Sequence, residues 1–156
     1  MTKRILYSKL KFREQPIGTG ACGKYSIQNA LLFLGITITQ DTLDRLTKTS
    51  KEWTARFGTD SYQIKAALKA LNLFPRIYYR TDPFIAKRLM DKLLKKSPII
   101  LSTMLGQHWV TIGKKSGNYY IMVDADRKPL LQKRTWNQLL KEIGNEKDFY
   151  FIRVTK

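Results

Sequence analysis

The sequence predicts an α+β fold in which N-terminal helices pack on a C-terminal antiparallel sheet. In the first half, apolar residues recur at i, i+3, i+4 and i+7, the spacing that places them on one face of a helix. In the second half, short runs rich in β-branched and aromatic residues are bounded by turn-forming residues, as is typical of strands. Helices first and antiparallel strands later indicate a single α+β domain, which we expect to span residues 1–156.

The N-terminal half begins with an alternating segment and then becomes helical. Residues 4–13 alternate apolar and basic side chains, which suits a half-buried strand or an extended arm. A glycine-punctuated loop follows, and the apolar spacing predicts a helix from about Cys22 to a stop at Gly35. Two further helices are predicted over residues 41–47 and 60–71.

The remaining elements are predicted mainly as strands. A capping residue followed by Pro83 predicts the start of a helix that ends near Lys96. Trp136, Leu139 and Ile143 share one face of a last predicted helix. Predicted strands cover residues 74–79, 98–102, 108–114, 118–124 and 149–154, and the last helix covers residues 135–143.

The only histidine is expected beside a carboxylate. Residues 115–117 resemble a three-residue hairpin loop with glycine where positive φ is needed, and this register places Asp124 directly opposite His108. Opposed residues have Cβ atoms about 4.5–5.5 Å apart, so the carboxylate would accept the Nδ1–H of the imidazole and favour its charged form. Asp126 ranks second. A merely structural His–Asp hydrogen bond is the alternative.

The only cysteine, Cys22, lies where the glycine-rich loop turns into a predicted helix. A helix N-terminus carries partial positive charge and free N–H groups, which stabilise a thiolate. Gly20 and Gly23 would leave room for a substrate carbonyl, and the N–H of Cys22 with the Gln15 amide would form an oxyanion hole. A lone cysteine is more often a small buried hydrophobe, so the hypothesis depends on its combination with His108.

Several classes of protein are disfavoured by composition. One Cys and one His argue against a structural zinc site, which takes four such ligands, and we expect no metal or cofactor. A single cysteine forms no internal disulfide, which fits a reducing, cytoplasmic setting. No apolar run approaches the roughly 18 residues of a membrane span, and the charged N-terminus does not resemble a secretory signal.

The net charge is the outstanding feature of the composition. With 29 Lys+Arg against 12 Asp+Glu, the chain carries +17. Such an excess attracts polyanions, including nucleic acid, anionic lipid and acidic protein surfaces, although a basic surface also simply keeps a protein soluble. Zinc-finger spacing and RNA-binding aromatic signatures are missing from the sequence, so association with nucleic acid rests on charge alone.

A family resemblance emerges from the order Gln, Cys, His, Asp and from the short gap between the last two. The stretches that carry it are Gln15 with Ala21-Cys22-Gly23, the apolar helix ending at Gly35, and residues 98–101, 108–113 and 119–124. In these the chain resembles the papain-like cysteine peptidases, and among them the bacteriocin-processing, double-glycine-leader peptidases and their stand-alone relatives. The resemblance runs from about Gln15 to the end of the chain.

The resemblance implies a papain-like fold and a polypeptide substrate. Cys22 would attack a peptide carbonyl as thiolate, His108 would act as base and then acid, and Asp124 would orient His108. Trp109, next to the histidine, would shape the substrate groove. The same trio also serves deamidases, transglutaminase-like transferases and isopeptidases, and a basic nucleic-acid- or partner-binding module on an inactive peptidase fold stays open as well.

Overall fold

The computed structural model describes residues 6–144 and 146–156, which contain six α-helices and six strands. Two single 3₁₀ turns, Tyr7–Lys9 and Met104–Gly106, accompany them. The helices are α1 Cys22–Phe33, α2 Gln40–Thr47, α3 Lys51–Phe57, α4 Ser61–Ala70, α5 Pro83–Leu94 and α6 Trp136–Ile143. The strands are β1 Arg76–Arg80, β2 Ile99–Thr103, β3 His108–Ser116, β4 Tyr119–Val123, β5 Leu131–Arg134 and β6 Phe149–Arg153.

The strands form one antiparallel sheet in the order β1-β6-β2-β3-β4-β5, and helices cover both of its faces. Ile27 and Leu31 of α1 and Ile64 of α4 belong to one core, on the face that also holds Ile100. Helices α5 and α6 form the second core on the other face, with Ile99 among its members. The prediction that N-terminal helices pack on the sheet is confirmed, and a second helical layer completes the α+β fold.

Side-chain caps explain why most helices begin where they do. Asp60 and Thr135 each form a capping box with the glutamine three residues later, before α4 and α6. Asp82 accepts hydrogen bonds from two backbone N–H groups of α5, and Pro83 occupies the first turn of that helix. The helix α3, which the apolar spacing does not predict, begins after the capping residue Ser50.

The alternating N-terminal segment does not form a strand within the described residues. Positions 4 and 5 lie outside those residues, and from Leu6 the chain makes one 3₁₀ turn and then runs as irregular backbone. Its backbone is tied to α1 rather than to the sheet: Arg13 N–H donates to Asn29 Oδ1 at 2.7 Å, and Asn29 Nδ2 donates to the Arg13 carbonyl at 3.1 Å. Of the two alternatives, the strand is therefore wrong and the arm is the one that the structure fits, because the buried Asn29 satisfies backbone groups of this segment.

The β3–β4 hairpin has a different register from the one predicted. Ser116 pairs with Tyr119, so the loop has two residues rather than three, and the register shifts by one between Ile112 and Lys114. Gly113, between these two, is unpaired. A Cβ there would lie 2.0 Å from the Phe33 ring, so glycine lets α1 approach the bulge.

Candidate active site

Cys22 is the first residue of α1, at the position where the helix dipole is most positive. The preceding residue, Ala21, offers no side-chain cap to the N–H groups of the first turn. Those groups therefore point at the loop side of the helix without a capping oxygen. The Cys22 side chain is largely covered, with 7% of the residue exposed.

His108 and Asp124 contact each other across the end of the β3–β4 hairpin. His108 is the first residue of β3, Asp124 follows β4, and His108 Nε2 lies 2.8 Å from Asp124 Oδ1. The observed pairing of Thr111 with Val123, continued by one residue, places Asp124 opposite Val110. The prediction of direct opposition is therefore wrong, and the two side chains meet as diagonal neighbours on one face.

The imidazole contacts the carboxylate through Nε2, whereas Nδ1 was predicted from the sequence. Because Nε2 faces the carboxylate of Asp124, the nitrogen left for Cys22 is Nδ1. The Cys22 side chain helps to raise the pKa of the His108 imidazole, which places the thiol close to the ring. The structure thus brings the three residues together, with His108 next to both the start of α1 and the buried carboxylate.

Asp124 is itself held by several groups. Only 3% of the residue is exposed. Its N–H donates to the Leu130 carbonyl at 3.0 Å, and its Oδ1 accepts from the Asp126 N–H at 3.0 Å. Arg127 Nε lies 3.7 Å from Asp124 Oδ2, and the same guanidinium makes two hydrogen bonds to Glu142 on α6, at 2.7 and 3.1 Å. Asp126, the second choice from sequence, thus contributes through its backbone.

The charges around the imidazole favour its protonated form. Burial alone lowers the pKa of His108, but hydrogen bonds to Asp124 and Cys22 and their negative charges outweigh it, raising the pKa to about 10. Burial raises the pKa of Asp124, and the hydrogen bond from His108, its charge, the Asp126 N–H and the Arg127 charge lower it to below its ordinary value. The histidine therefore stays cationic and the aspartate anionic at neutral pH.

Gln15 lies near the site but is already engaged in the loop. Its N–H donates to the Ala125 carbonyl at 2.9 Å, which ties the loop to the turn after Asp124. The side-chain Nε2 donates to the Thr19 carbonyl at 3.0 Å, and Oε1 is buried without a hydrogen-bond partner among the described residues. One hydrogen of Nε2 is left for another acceptor. The oxyanion role of Gln15 stays a prediction.

An open groove of about 530 Å³ runs past Cys22. Its walls come from the loop before α1, from the segment that joins α3 to α4, and from the turn before β3, which ends next to Trp109. The indole Nε1 of Trp109 donates to the Thr59 carbonyl at 3.0 Å and so fixes one wall against the other. Trp109 also lines a second groove with Tyr79 and Tyr150.

Gly20 and Gly23, on either side of Cys22, lie in closely packed positions. A Cβ on Gly20 would lie 2.9 Å from the Thr54 carbonyl oxygen, and one on Gly23 would lie 2.7 Å from Thr59 Cβ. Both positions face the α3–α4 segment, which closes against the start of α1. Gly20 also lines the groove beside Cys22, and the expectation that these glycines leave room for a substrate carbonyl stays a prediction.

Sequence reasoning missed several groups that shape the site. The groove residues Arg56 and Phe57 belong to α3, which was not predicted, and Gly106 follows two residues with positive φ, Met104 (φ 51) and Leu105 (φ 56). The Arg127–Glu142 pair joins residues 15 positions apart and has no local sequence signal. Within residues 6–144 and 146–156, no group of three or more Cys, His, Asp or Glu side chains is arranged to hold a metal ion.

Comparison with known proteins rests on structure, because no protein-family model and no curated protein matches the sequence. The peptidase domain of Streptococcus ComA, a bifunctional ABC transporter involved in quorum sensing, superposes with a TM-score of 0.67 at 20% identity, covering 94% of this chain and 98% of that one. The chain has the fold of the double-glycine peptidases. This papain-like fold was the one that the resemblance predicted.

Two further structures have the same peptidase fold. A double-glycine-motif protease from an AMS/PCAT transporter, solved with its leader peptide, gives a TM-score of 0.66 at 17% identity, covering 95% of this chain and 93% of that one. A C39-like peptidase from Bacillus anthracis gives 0.65 at 12% identity, covering 99% and 98%. At such identities the likeness establishes the peptidase fold alone.

Proposed function

We propose that this protein is a cysteine peptidase that hydrolyses a peptide bond in a polypeptide through Cys22, His108 and Asp124. The observation that carries the proposal is that the only thiol of the chain, in the wall of an open groove, lies close to the only imidazole, which contacts a buried carboxylate. A structural histidine would not need a cysteine at a helix N-terminus as its second partner. The peptidase fold supports the same reading.

The proposed reaction follows from the order of the three side chains. The Cys22 thiolate attacks the carbonyl carbon, and the Nδ1–H of His108 gives its proton to the leaving amine as the C–N bond breaks. The neutral imidazole then takes a proton from water, whose oxygen attacks the thioester carbonyl. Breaking of the C–S bond releases the carboxylic product and restores the thiolate and the imidazolium. Asp124 holds His108 Nε2–H throughout.

The tetrahedral intermediates need donors for their oxyanion. We assign these to the backbone N–H of Cys22, at the uncapped start of α1, and to the free hydrogen of Gln15 Nε2. Removing one such donor from a preorganised site lowers kcat by about 10²–10³-fold. Trp109 is assigned to the substrate groove because it lines the space beside Cys22. A reducing compartment such as the cytoplasm would keep Cys22 reduced.

The test compares the protein with Cys22→Ala on a peptide library, with cleavage products identified by mass spectrometry. We expect new amino termini from the protein and none from the variant. Ser26→Ala is a matched control on the same helix, since Ser26 has no second histidine to activate it. Products that carry an added amine, or a glutamine converted to glutamate, would instead identify a transferase or a deamidase. Equal cleavage by Cys22→Ala would refute the mechanism.

A second measurement reads the thiol directly. Iodoacetamide should alkylate Cys22 at neutral pH faster than it alkylates a free cysteine, because the imidazolium stabilises the thiolate. The variant His108→Gln should react no faster than the free amino acid. If the unaltered protein also reacts no faster than free cysteine, the fold would serve as a binding module, without thiol chemistry.

A further inference from the structure

The outward surface of α5 combines exposed apolar and basic side chains and lies outside the candidate active site. Successive residues of an α-helix are rotated by about 100° around the helix axis. On this basis, five exposed side chains lie within one arc of about 100° around the axis of α5. This α5 surface consists of Phe84, Ile85, Arg88 and Lys92 together with Lys95, the residue that caps the C-terminus of the helix. Phe84 is 78% exposed and Ile85 55% exposed, whereas the opposite side of the helix is buried in the core. The apolar pair lies at the N-terminal end and the cations follow it.

The cations of this surface are not neutralised by neighbouring carboxylates. Among the described residues, no carboxylate oxygen lies within 4.0 Å of the nitrogen atoms of Arg88, Lys92 or Lys95. Asp91, on the flank of the helix, is bound to Lys87, Lys115 and Tyr120. Asp82 caps the helix, and Asp148, next to the strand partner of Arg80, accepts a hydrogen bond from the Tyr79 hydroxyl.

Arg80 of the edge strand β1 extends the same basic region. Its side chain lines a shallow depression together with Ile85, Leu89, Arg88 and Lys92, so three cations surround two aliphatic side chains. The guanidinium of Arg80 lies 5.6 Å from the centre of the Tyr78 ring, which holds it at this edge. The depression therefore has fixed positive charge and an apolar floor.

We propose that the α5 surface binds a bilayer that contains anionic lipid. Lipid headgroups would neutralise Arg88, Lys92 and Lys95, while Phe84 and Ile85 would enter the interface between headgroups and acyl chains. Nucleic acid also attracts cations, but it offers no apolar phase for an exposed isoleucine. The two apolar residues thus favour lipid over nucleic acid as the partner. The surface is unrelated to the peptidase chemistry and does not depend on it.

Binding in this way would hold the groove close to the bilayer. Arg80 ends β1 opposite Phe149, at the same end of the sheet where His108 pairs with Thr103. The two strands β1 and β3 are three strand spacings apart, or about 15 Å. The apolar end of α5, which follows β1 at once, therefore lies at the groove end of the molecule.

The test measures co-sedimentation of the full chain with phosphatidylcholine vesicles, with and without phosphatidylglycerol. We expect binding only when phosphatidylglycerol is present. The triple variant Arg88→Gln/Lys92→Gln/Lys95→Gln should weaken binding about a hundredfold, since each cation near an anionic surface contributes about fivefold. A matched triple, Lys69→Gln/Lys133→Gln/Lys141→Gln, removes the same charge from exposed lysines on other elements. It should weaken binding severalfold at most.

The apolar residues provide the test that separates lipid from nucleic acid. Phe84→Ser/Ile85→Ser should lower vesicle binding by at least tenfold and leave binding to a single-stranded oligonucleotide unchanged. Circular dichroism and thermal unfolding establish that each variant is folded. The proposal is overturned if the two lysine-containing triples weaken binding equally, if the Ser pair binds vesicles as well as the unaltered protein does, or if only the oligonucleotide is bound through α5.

Discussion

Replacing Asp124 with Asn isolates the role of its charge, because the side chain keeps its size while losing the negative charge. The pKa of His108, about 10 against an ordinary 6.5, corresponds at face value to roughly 5 kcal/mol of preference for the charged ring. The ring is partly exposed, and Cys22 supplies part of the effect. After allowance for solvent screening and for the part of the pKa shift that Cys22 supplies, Asp124 contributes about 2 kcal/mol, which corresponds to a factor of roughly 30 in the ratio of charged to neutral imidazole.

The assay is the rate of iodoacetamide alkylation of Cys22 at neutral pH. In Asp124→Asn, we expect that rate to fall by up to about thirtyfold, because the imidazolium loses that much stability relative to the neutral ring and becomes a weaker cationic partner for the thiolate. Peptide cleavage should fall by at least the same factor, since the imidazole is also less well oriented. Asp126→Asn is the matched control and should change the rate little. An unchanged alkylation rate in Asp124→Asn would refute this account of the site.

Three further outcomes are expected. Because the pKa of His108 is raised, its contribution to the free energy of unfolding is fully present below about pH 6.5 and is lost as the pH rises through 10. The difference in stability between the unaltered protein and His108→Gln, measured by urea unfolding, should therefore shrink over that range. Arg127→Gln should raise the pKa of Asp124 and move the acid limb of the kcat/KM profile to higher pH, and an unmoved limb would exclude that coupling. Gly113→Ala should lower the free energy of unfolding by about 1–3 kcal/mol, because a Cβ would overlap the Phe33 ring; a wild-type midpoint would contradict the packing there.

The sequence predicted most of the architecture because apolar spacing and caps are local signals. The start of α1 at Cys22, the start of α5 at Pro83 and the start of β3 at His108 were all predicted from nearby residues. The element α3 was missed because it spans only seven residues and its aromatic pair, Trp53 and Phe57, remains exposed instead of marking a buried face. A four-residue strand, β5, was too short to show alternation.

The pairing of His108 with Asp124 was reached through a register that the structure does not have. The observed loop, residues 117–118 instead of 115–117, moves the partners of β3 by three positions, and the bulge moves them back by one. The net displacement at His108 is even, so the two side chains keep the shared face that the prediction required. The Arg127–Glu142 ion pair, by contrast, depends on how α6 packs against the turn after β4. Tertiary contacts of this kind do not produce a periodic pattern in the sequence.

The bulge at Gly113 has a consequence for how this hairpin can change in length. Were β3 to continue in the register of its outer half, Asp124 would fall opposite Thr111 and its carboxylate would emerge on the far side of the sheet from the imidazole. One additional residue in the backbone therefore decides the parity on which the contact depends. Inserting or deleting one residue within β3 or β4, on the His108 side of the bulge, would therefore separate the pair, whereas a longer loop at residues 117–118 would leave the pairing unchanged.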